Sequence, residues 1–258
     1  MTAMTHSARA HSFNAAAAQY AANRPSYPPA LFDALEDLAA RPLSGARVAD
    51  VGAGTGIATA LLRARGAEVV AVEPGPGMAA QFRTALPDVP LLRGDGNALP
   101  LATASMDVLT YAQSWHWTDP ARSVPEALRV LRPGGALALW WNMTAHDVPW
   151  LAEQDERVRR YVGDKQSRQK DAEGIRPEHA FAGAAETLAP THRLIRWSRT
   201  VPVDTHLANI GSHSVFLVLG EEKANAFLAE ERDHLLDAFP DGQVEEVYDV
   251  LLIVATRP

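Results

Sequence analysis

Gly52, Gly54 and Gly56 are separated by single residues in Val48-Ala49-Asp50-Val51-Gly52-Ala53-Gly54-Thr55-Gly56, where an apolar run gives way to a helical pattern. Glycines there permit positive φ and remove the Cβ atoms that would hold a ligand off the backbone, so a small molecule can lie directly on the turn. Glu73, followed by Pro74, ends the next apolar run. In a parallel sheet that position turns a carboxylate toward a sugar lying on the first turn, where it can accept charge-assisted hydrogen bonds from both ribose hydroxyls. His116 stands between two indoles in Gln113-Ser114-Trp115-His116-Trp117-Thr118-Asp119. An imidazole can accept a proton near neutral pH, and the indoles can face a cation or wall a site from water.

These residues need elements to position them, and the chain between 46 and 141 supplies short apolar runs alternating with helical patterns. That rhythm is the sign of a parallel sheet covered on both faces. Strands are expected at 46–51, 68–72, 89–92, 106–112 and 136–141, with helices at 57–65, 78–86 and 120–131 between them. Gly66 ends the first of these helices. Upstream, 13–22 has helical composition, and the prolines of Asn23-Arg24-Pro25-Ser26-Tyr27-Pro28-Pro29 must break that helix before another starts near Ala30. Downstream, a charged amphipathic helix is expected at 150–162, a polar loop at 163–180, a strand at 194–201, helical segments at 205–219 and 221–238, and a last strand at 247–255. There is no internal repeat. The expected organisation is a leader at 1–12 and one domain over 13–258: a helical lid at 13–40, a ligand-binding core at 41–142, an acceptor-lid insertion with a late strand at 143–220, and a closing helix and strand at 221–258.

In a chain of 258 residues, a formal charge of −7 and a pI near 5.7 argue against a broad phosphate-binding face, because nucleic-acid binding normally needs clustered Lys and Arg. A small-molecule substrate is favoured instead. With no cysteine, disulfides, thiolate metal sites and a cysteine nucleophile are excluded. No apolar run approaches the roughly 18 residues of a membrane span, and no secretory pattern opens the chain, so the expectation is a cytoplasmic protein, monomeric or homodimeric. Lysine occurs only at Lys165, Lys170 and Lys223 while alanine is abundant, which suits a GC-rich bacterial genome.

The glycine turn leaves the ligand open, because dinucleotide-binding folds share it. Their fingerprint asks for glycine three positions after the second one, and Ile57 stands there. The GxGxG spacing instead resembles class I S-adenosylmethionine-dependent methyltransferases. The resemblance covers about 13–142 and rests on four motifs in order: GxGxG, Glu73-Pro74, Gly94-Asp95-Gly96, and Leu131-Arg132-Pro133-Gly134-Gly135. It implies a Rossmann-like, doubly wound α/β fold, a seven-stranded mostly parallel sheet with the last strand antiparallel, and S-adenosylmethionine (SAM) as cofactor.

By this resemblance Gly52, Ala53, Gly54, Gly56, Glu73, Pro74, Asp95, Gly96, Asn97 and Gln113 bind cofactor, with Asp95 meeting the adenine amino group. Tyr20 and Arg24, in a Tyr-x-x-x-Arg-Pro-x-Tyr-Pro arm that looks like the lid of the small-molecule, trans-aconitate and biosynthetic branch, would hold the methionine carboxylate. Trp115, Trp117, Tyr27, Trp141, Asn142 and His213 are the candidate acceptor contacts, and His116 is the candidate general base. The segment Gly211-Ser212-His213-Ser214 offers a polycarboxylate only a histidine, which favours an aromatic or heteroaromatic natural product over a tricarboxylate. No metal requirement is expected. Two other readings stay open from the residues: a non-catalytic SAM-binding sensor, and an NAD-dependent oxidoreductase that Ile57 disfavours.

Overall fold

The computed structural model describes residues 23–163, 180–181 and 188–258. The expected leader, the helix at 13–22 with Tyr20, and most of the loop at 163–180 lie outside the described residues. Contacts divide the described chain into two compact units. The first comprises described residues of Ser26–Asn142, Gln166–Ile195 and Val250–Pro258, and the second those of Met1–Pro25, Met143–Lys165 and Arg196–Asp249.

Helix α1 (Pro29–Ala39) opens with proline in its first turn, where the missing N–H costs nothing, and closes on Ala40 in the left-handed region. Strand β1 (Arg47–Val51), helix α2 (Ile57–Ala64), strand β2 (Glu68–Val72), helix α3 (Pro76–Ala85) and strand β3 (Leu91–Leu92) follow. Helix α3 starts two residues before the expected 78 because Pro76 is preset for a first helical position. After strand β4 (Met106–Ala112), the 3-10 turn Trp115–Trp117 leads to helix α4 (Pro120–Val130), capped by Asp119 accepting from the Ala121 N–H at 3.1 Å. Strand β5 (Leu131–Thr144), helix α5 (Pro149–Val162), strand β6 (Thr191–Pro202), helices α6 (Val203–Gly211), α7 (Ser214–Leu219) and α8 (Glu221–Ala238), and strand β7 (Gln243–Thr256) complete the described order.

The sheet order is β3-β2-β1-β4-β5-β7-β6. The first five strands pair in parallel, for example Ala49 with Val70 and with Leu109. Strand β7 runs against β5, since Gly134 donates to the Arg257 carbonyl near one end of the pair and Ala145 to the Val247 carbonyl near the other. The sheet is therefore mostly parallel with its last strand reversed, as the motifs implied. Strand β5 starts five residues before the expected 136, because Gly134 and Gly135 already exchange backbone bonds with Arg257. The single helical stretch expected at 205–219 is two helices, interrupted where His213 is extended at the cap of α7.

The first unit's core is built on the near-continuous apolar runs of β1, β4 and β5, buried on both faces of the sheet, with Val48, Ala49, Leu109, Leu137 and Leu139 all at most 1% exposed. Such runs are what a strand covered on both faces requires. The second unit combines apolar clusters around Leu207 and Leu235 and around Phe216 and Phe227 with a buried polar chain. In that chain Arg157 of α5 donates twice to Glu231 of α8, at 2.8 and 2.6 Å, and Gln154 donates to the same carboxylate at 2.9 Å. The Gln154 carbonyl oxygen faces His206 Nε2 at 2.9 Å, and His206 Nδ1 faces Glu246 at 2.7 Å. Burial acts to raise the Glu246 carboxyl, but hydrogen bonds from His206 and Arg199 outweigh it and hold it below the usual carboxylate range.

Candidate functional site

The glycine loop joins β1 to α2, and its three glycines, all at positive φ, do different jobs. A Cβ on Gly52 would fall 2.5 Å from Ser114 Cβ, and one on Gly56 would fall 2.7 Å from Leu86 Cδ1. Packing excludes a side chain at Gly52, and at Gly56 the backbone φ of +94° disfavours one as well. At Gly54, φ is +58° and the Cβ position has nothing within 4 Å, so the loop turns this residue toward open space where a ligand can reach backbone.

Glu73, 6% exposed, fixes that loop. Its Oε2 accepts from the Gly54 N–H at 2.9 Å and its Oε1 from the Gly75 N–H at 2.6 Å, while the Gly52 and Ala53 N–H groups both donate to the Val72 carbonyl. Burial raises the Glu73 carboxyl above its ordinary value; the bonds from Gly75 and Gly54 and the nearby Arg93 only partly offset this. Each carboxylate oxygen keeps a second lone pair, enough to accept a ribose hydroxyl without releasing the loop. Arg93 donates to the carbonyls of Glu73 and Pro74 and holds the turn from outside.

Two residues, one beneath the loop and one within it, had no role assigned from the sequence. Asp50 is fully buried in β1 and accepts from the Thr59 hydroxyl of α2 at 2.6 Å and the Thr110 hydroxyl of β4 at 3.0 Å. Burial pushes its carboxyl up to about 6, against the lowering effect of these hydroxyls. A carboxylate in the otherwise apolar Arg47-Val48-Ala49-Asp50-Val51 was the available signal. Thr55, 5% exposed, holds a buried hydroxyl with no hydrogen-bond partner among the described residues. An orphaned hydroxyl, an open Gly54 and a carboxylate with lone pairs to spare are a set of polar groups suited to a nucleoside-bearing amino acid such as SAM.

Asp95 forms a turn in which its Oδ1 accepts from the Asn97 N–H at 2.7 Å, and the Asn97 side-chain oxygen accepts from the Asp119 N–H at 2.8 Å. Gly96 is required there, since a Cβ would meet Thr118 and Tyr111 within 3 Å. Gln113 follows β4 in the left-handed region at φ +57°, its N–H donating to the Trp140 carbonyl. Such a conformation costs of order 1–3 kcal/mol in a residue with a Cβ and concentrates at functional sites. Ser114 then tucks beneath Gly52 and donates to the Val51 carbonyl at 2.6 Å.

The loop's aromatic residues separate by burial. Trp115 is 1% exposed, packs edge-on to Tyr111 and donates its indole N–H to the Ala180 carbonyl at 2.8 Å, so it supports the loop from within the core. Trp117 is half-buried, with its ring 4.6 Å from that of His116. Trp141, 2% exposed, donates to His116 Nδ1 at 3.2 Å. Tyr27 lies edge-on to Trp140, and Asn142 donates to the Ser26 carbonyl, so residues 26–27 border the end of β5. In the second unit, Arg24 donates to the Ser212 carbonyl at 3.2 Å, next to His213. No group of three metal-ligating side chains occurs among the described residues, and no described helix is long and apolar enough to cross a membrane.

Residues 49–139 match the family model described as a methyltransferase domain. A trans-aconitate 2-methyltransferase of Azoarcus is 32% identical over 241 residues, covering 87% of this chain and 93% of that protein. The chain belongs to the class I SAM-dependent methyltransferases. An uncharacterized methyltransferase of Mycobacterium tuberculosis is 47% identical over 149 residues, 58% of this chain, and the match spans 59% of that relative's own length. Among solved structures, one from Anaeromyxobacter dehalogenans described as a type II methyltransferase aligns with a TM-score of 0.59 at 27% identity, covering 91% of this methyltransferase chain and 96% of the other.

Proposed function

We propose that this protein transfers the methyl group of SAM to a small molecule, either an aromatic or heteroaromatic natural product or a carboxylate metabolite. The observation that carries the reading is the glycine loop with Gly54 open and its N–H held by Glu73. Gly52, Ala53, Gly54, Thr55 and Gly56 would hold the amino-acid end of the cofactor, Glu73 and Pro74 the ribose, and Asp95, Gly96 and Asn97 the adenine, with Gln113 just after β4. When bound, SAM supplies an electrophilic methyl group on a sulfonium centre.

Ligands of open α/β sheets lie outside the carboxyl ends of the strands, which puts the acceptor at the loop after β4 and the end of β5. Trp117, His116, Tyr27 and Asn142 are the assigned acceptor contacts, with Trp115 and Trp141 behind them as buried supports. Arg24 and His213 lie in the second unit and carry no part of this assignment. The charge of −7 supports a small molecule over nucleic acid.

The test is incubation of the full chain with methyl-labelled SAM and a panel of phenols, heteroaromatics and carboxylates that includes trans-aconitate. Labelled product with S-adenosylhomocysteine is expected for at least one class. SAM binding without turnover of any panel member would favour the sensor reading.

A further inference from the structure

Trp141 of β5 and His116 of the turn after β4 meet through one hydrogen bond, from Trp141 Nε1 to His116 Nδ1 at 3.2 Å. An indole nitrogen can only donate. The direction of the bond is therefore set by chemistry, and it sets the imidazole in turn: Nδ1 must present its lone pair, and in the neutral ring the hydrogen sits on Nε2. Protonation at Nδ1 would point two N–H groups at each other. Because Trp141 is only 2% exposed, breaking the bond would strand a buried donor without a partner. The Trp117 ring, tilted 47° to the imidazole, packs against it as well, so two indoles from different elements hold one histidine.

We propose that Trp141 is a positioning residue that locks His116 as an Nε2–H donor, so that His116 serves the reaction by donating a hydrogen bond and not by removing a proton. A general base needs an available lone pair. The one on Nδ1 is engaged by Trp141, and Nε2 carries the hydrogen. A donor fits an acceptor molecule whose nucleophilic atom needs no deprotonation, and it orients that atom through a lone pair the reaction does not use. Trp141 thereby acts through His116 without touching the acceptor, as a group that orients a metal-bound or catalytic histidine does by fixing its tautomer.

The role in turnover rests on the methyl-transfer reading above; the locked tautomer does not. Long-range proton–nitrogen NMR spectra of the full, 15N-labelled chain, recorded without any ligand at neutral pH, measure it directly. His116 signals are identified by their loss in His116→Gln. The wild type is expected to show an unprotonated Nδ1 and a protonated Nε2 in at least about tenfold preference over the other tautomer, the scale of one hydrogen bond. Trp141→Phe, which keeps an aromatic ring and removes the donor, is expected to lose most of that preference. A hydrogen on Nδ1 in the wild type, or an unchanged preference in a folded Trp141→Phe, overturns the assignment. The wild-type spectrum decides the matter even if Trp141→Phe does not fold. A chain with the locked ring that failed to bind SAM would lose the proposed function and keep this assignment.

Discussion

The carboxylate of Glu73 accepts the backbone N–H of Gly54 at 2.9 Å, tying the end of β2 to the middle of the glycine loop. One side chain thus shapes the turn and offers its remaining lone pairs to a ribose. The loop and the carboxylate act as a unit, and each substitution in it should be read for stability and for cofactor affinity separately.

The glycines should divide along that line. Gly52→Ala forces a Cβ to within 2.5 Å of Ser114 Cβ at positive φ and is expected to destabilise the fold by about 2–4 kcal/mol. Gly54→Ala meets no atom and is expected to cost about 1–2 kcal/mol from its φ alone, yet to weaken SAM binding at least tenfold by covering the backbone. Denaturant midpoints and a SAM titration on both variants check this. Equal effects on both readouts would show that the two glycines do not differ in role.

Asp50 should leave a mark on the pH dependence of stability. Its carboxyl in the folded chain sits near 6, above its ordinary 3.8, so the folded state holds the proton more tightly. That contribution is complete below about pH 4 and is lost as pH rises through about 6. Glu73 is shifted in the same direction. Asp50→Asn removes the titration, so its stability relative to wild type should improve between pH 4 and 7, by up to about 3 kcal/mol for a shift of this size. A constant difference across that range would contradict the assignment.

In the second unit, Glu231 is 1% exposed and shares its charge with Arg157. Arg157→Ala would leave that carboxylate buried without a cation, at an expected cost of about 3–5 kcal/mol. The pair Arg157→Leu with Glu231→Met should lose less than the single change, because no charge is left buried. Urea unfolding of the three proteins decides it, and a single variant as stable as wild type would refute the stated coupling.

His116→Gln and His116→Ala separate donor from base once a methyl acceptor is known. An amide N–H can replace the Nε2–H donor but cannot take a proton, so the glutamine variant should keep at least about ten times the turnover of the alanine variant. Equal loss in both would restore the general base.

Much of the sheet was legible because buried parallel strands read as short apolar runs punctuated by glycine and proline, and the glycine loop because only its spacing permits the turn. Strand ends were less so: β5 begins at Leu131 through backbone pairing with Arg257, a partner far along the chain whose register no local pattern encodes. Asp50, Gln154, His206, Glu231 and Glu246 carry the polar character of surface residues, and their burial depends on partners tens of residues away. The tryptophans show the same limit. Their places after the fourth strand and at the end of the fifth put three of them near the site, but only packing distinguishes Trp117, half-buried beside His116, from the enclosed Trp115 and Trp141.

The most direct test of the account is calorimetric titration of SAM into the folded full chain and into Glu73→Gln, which keeps the side chain's shape and removes its charge. The account predicts saturable one-site binding by the wild type and affinity reduced at least about tenfold in the variant, the scale of one or two charge-assisted hydrogen bonds. Absence of binding by folded wild type, or equal affinity in the two proteins, would contradict it.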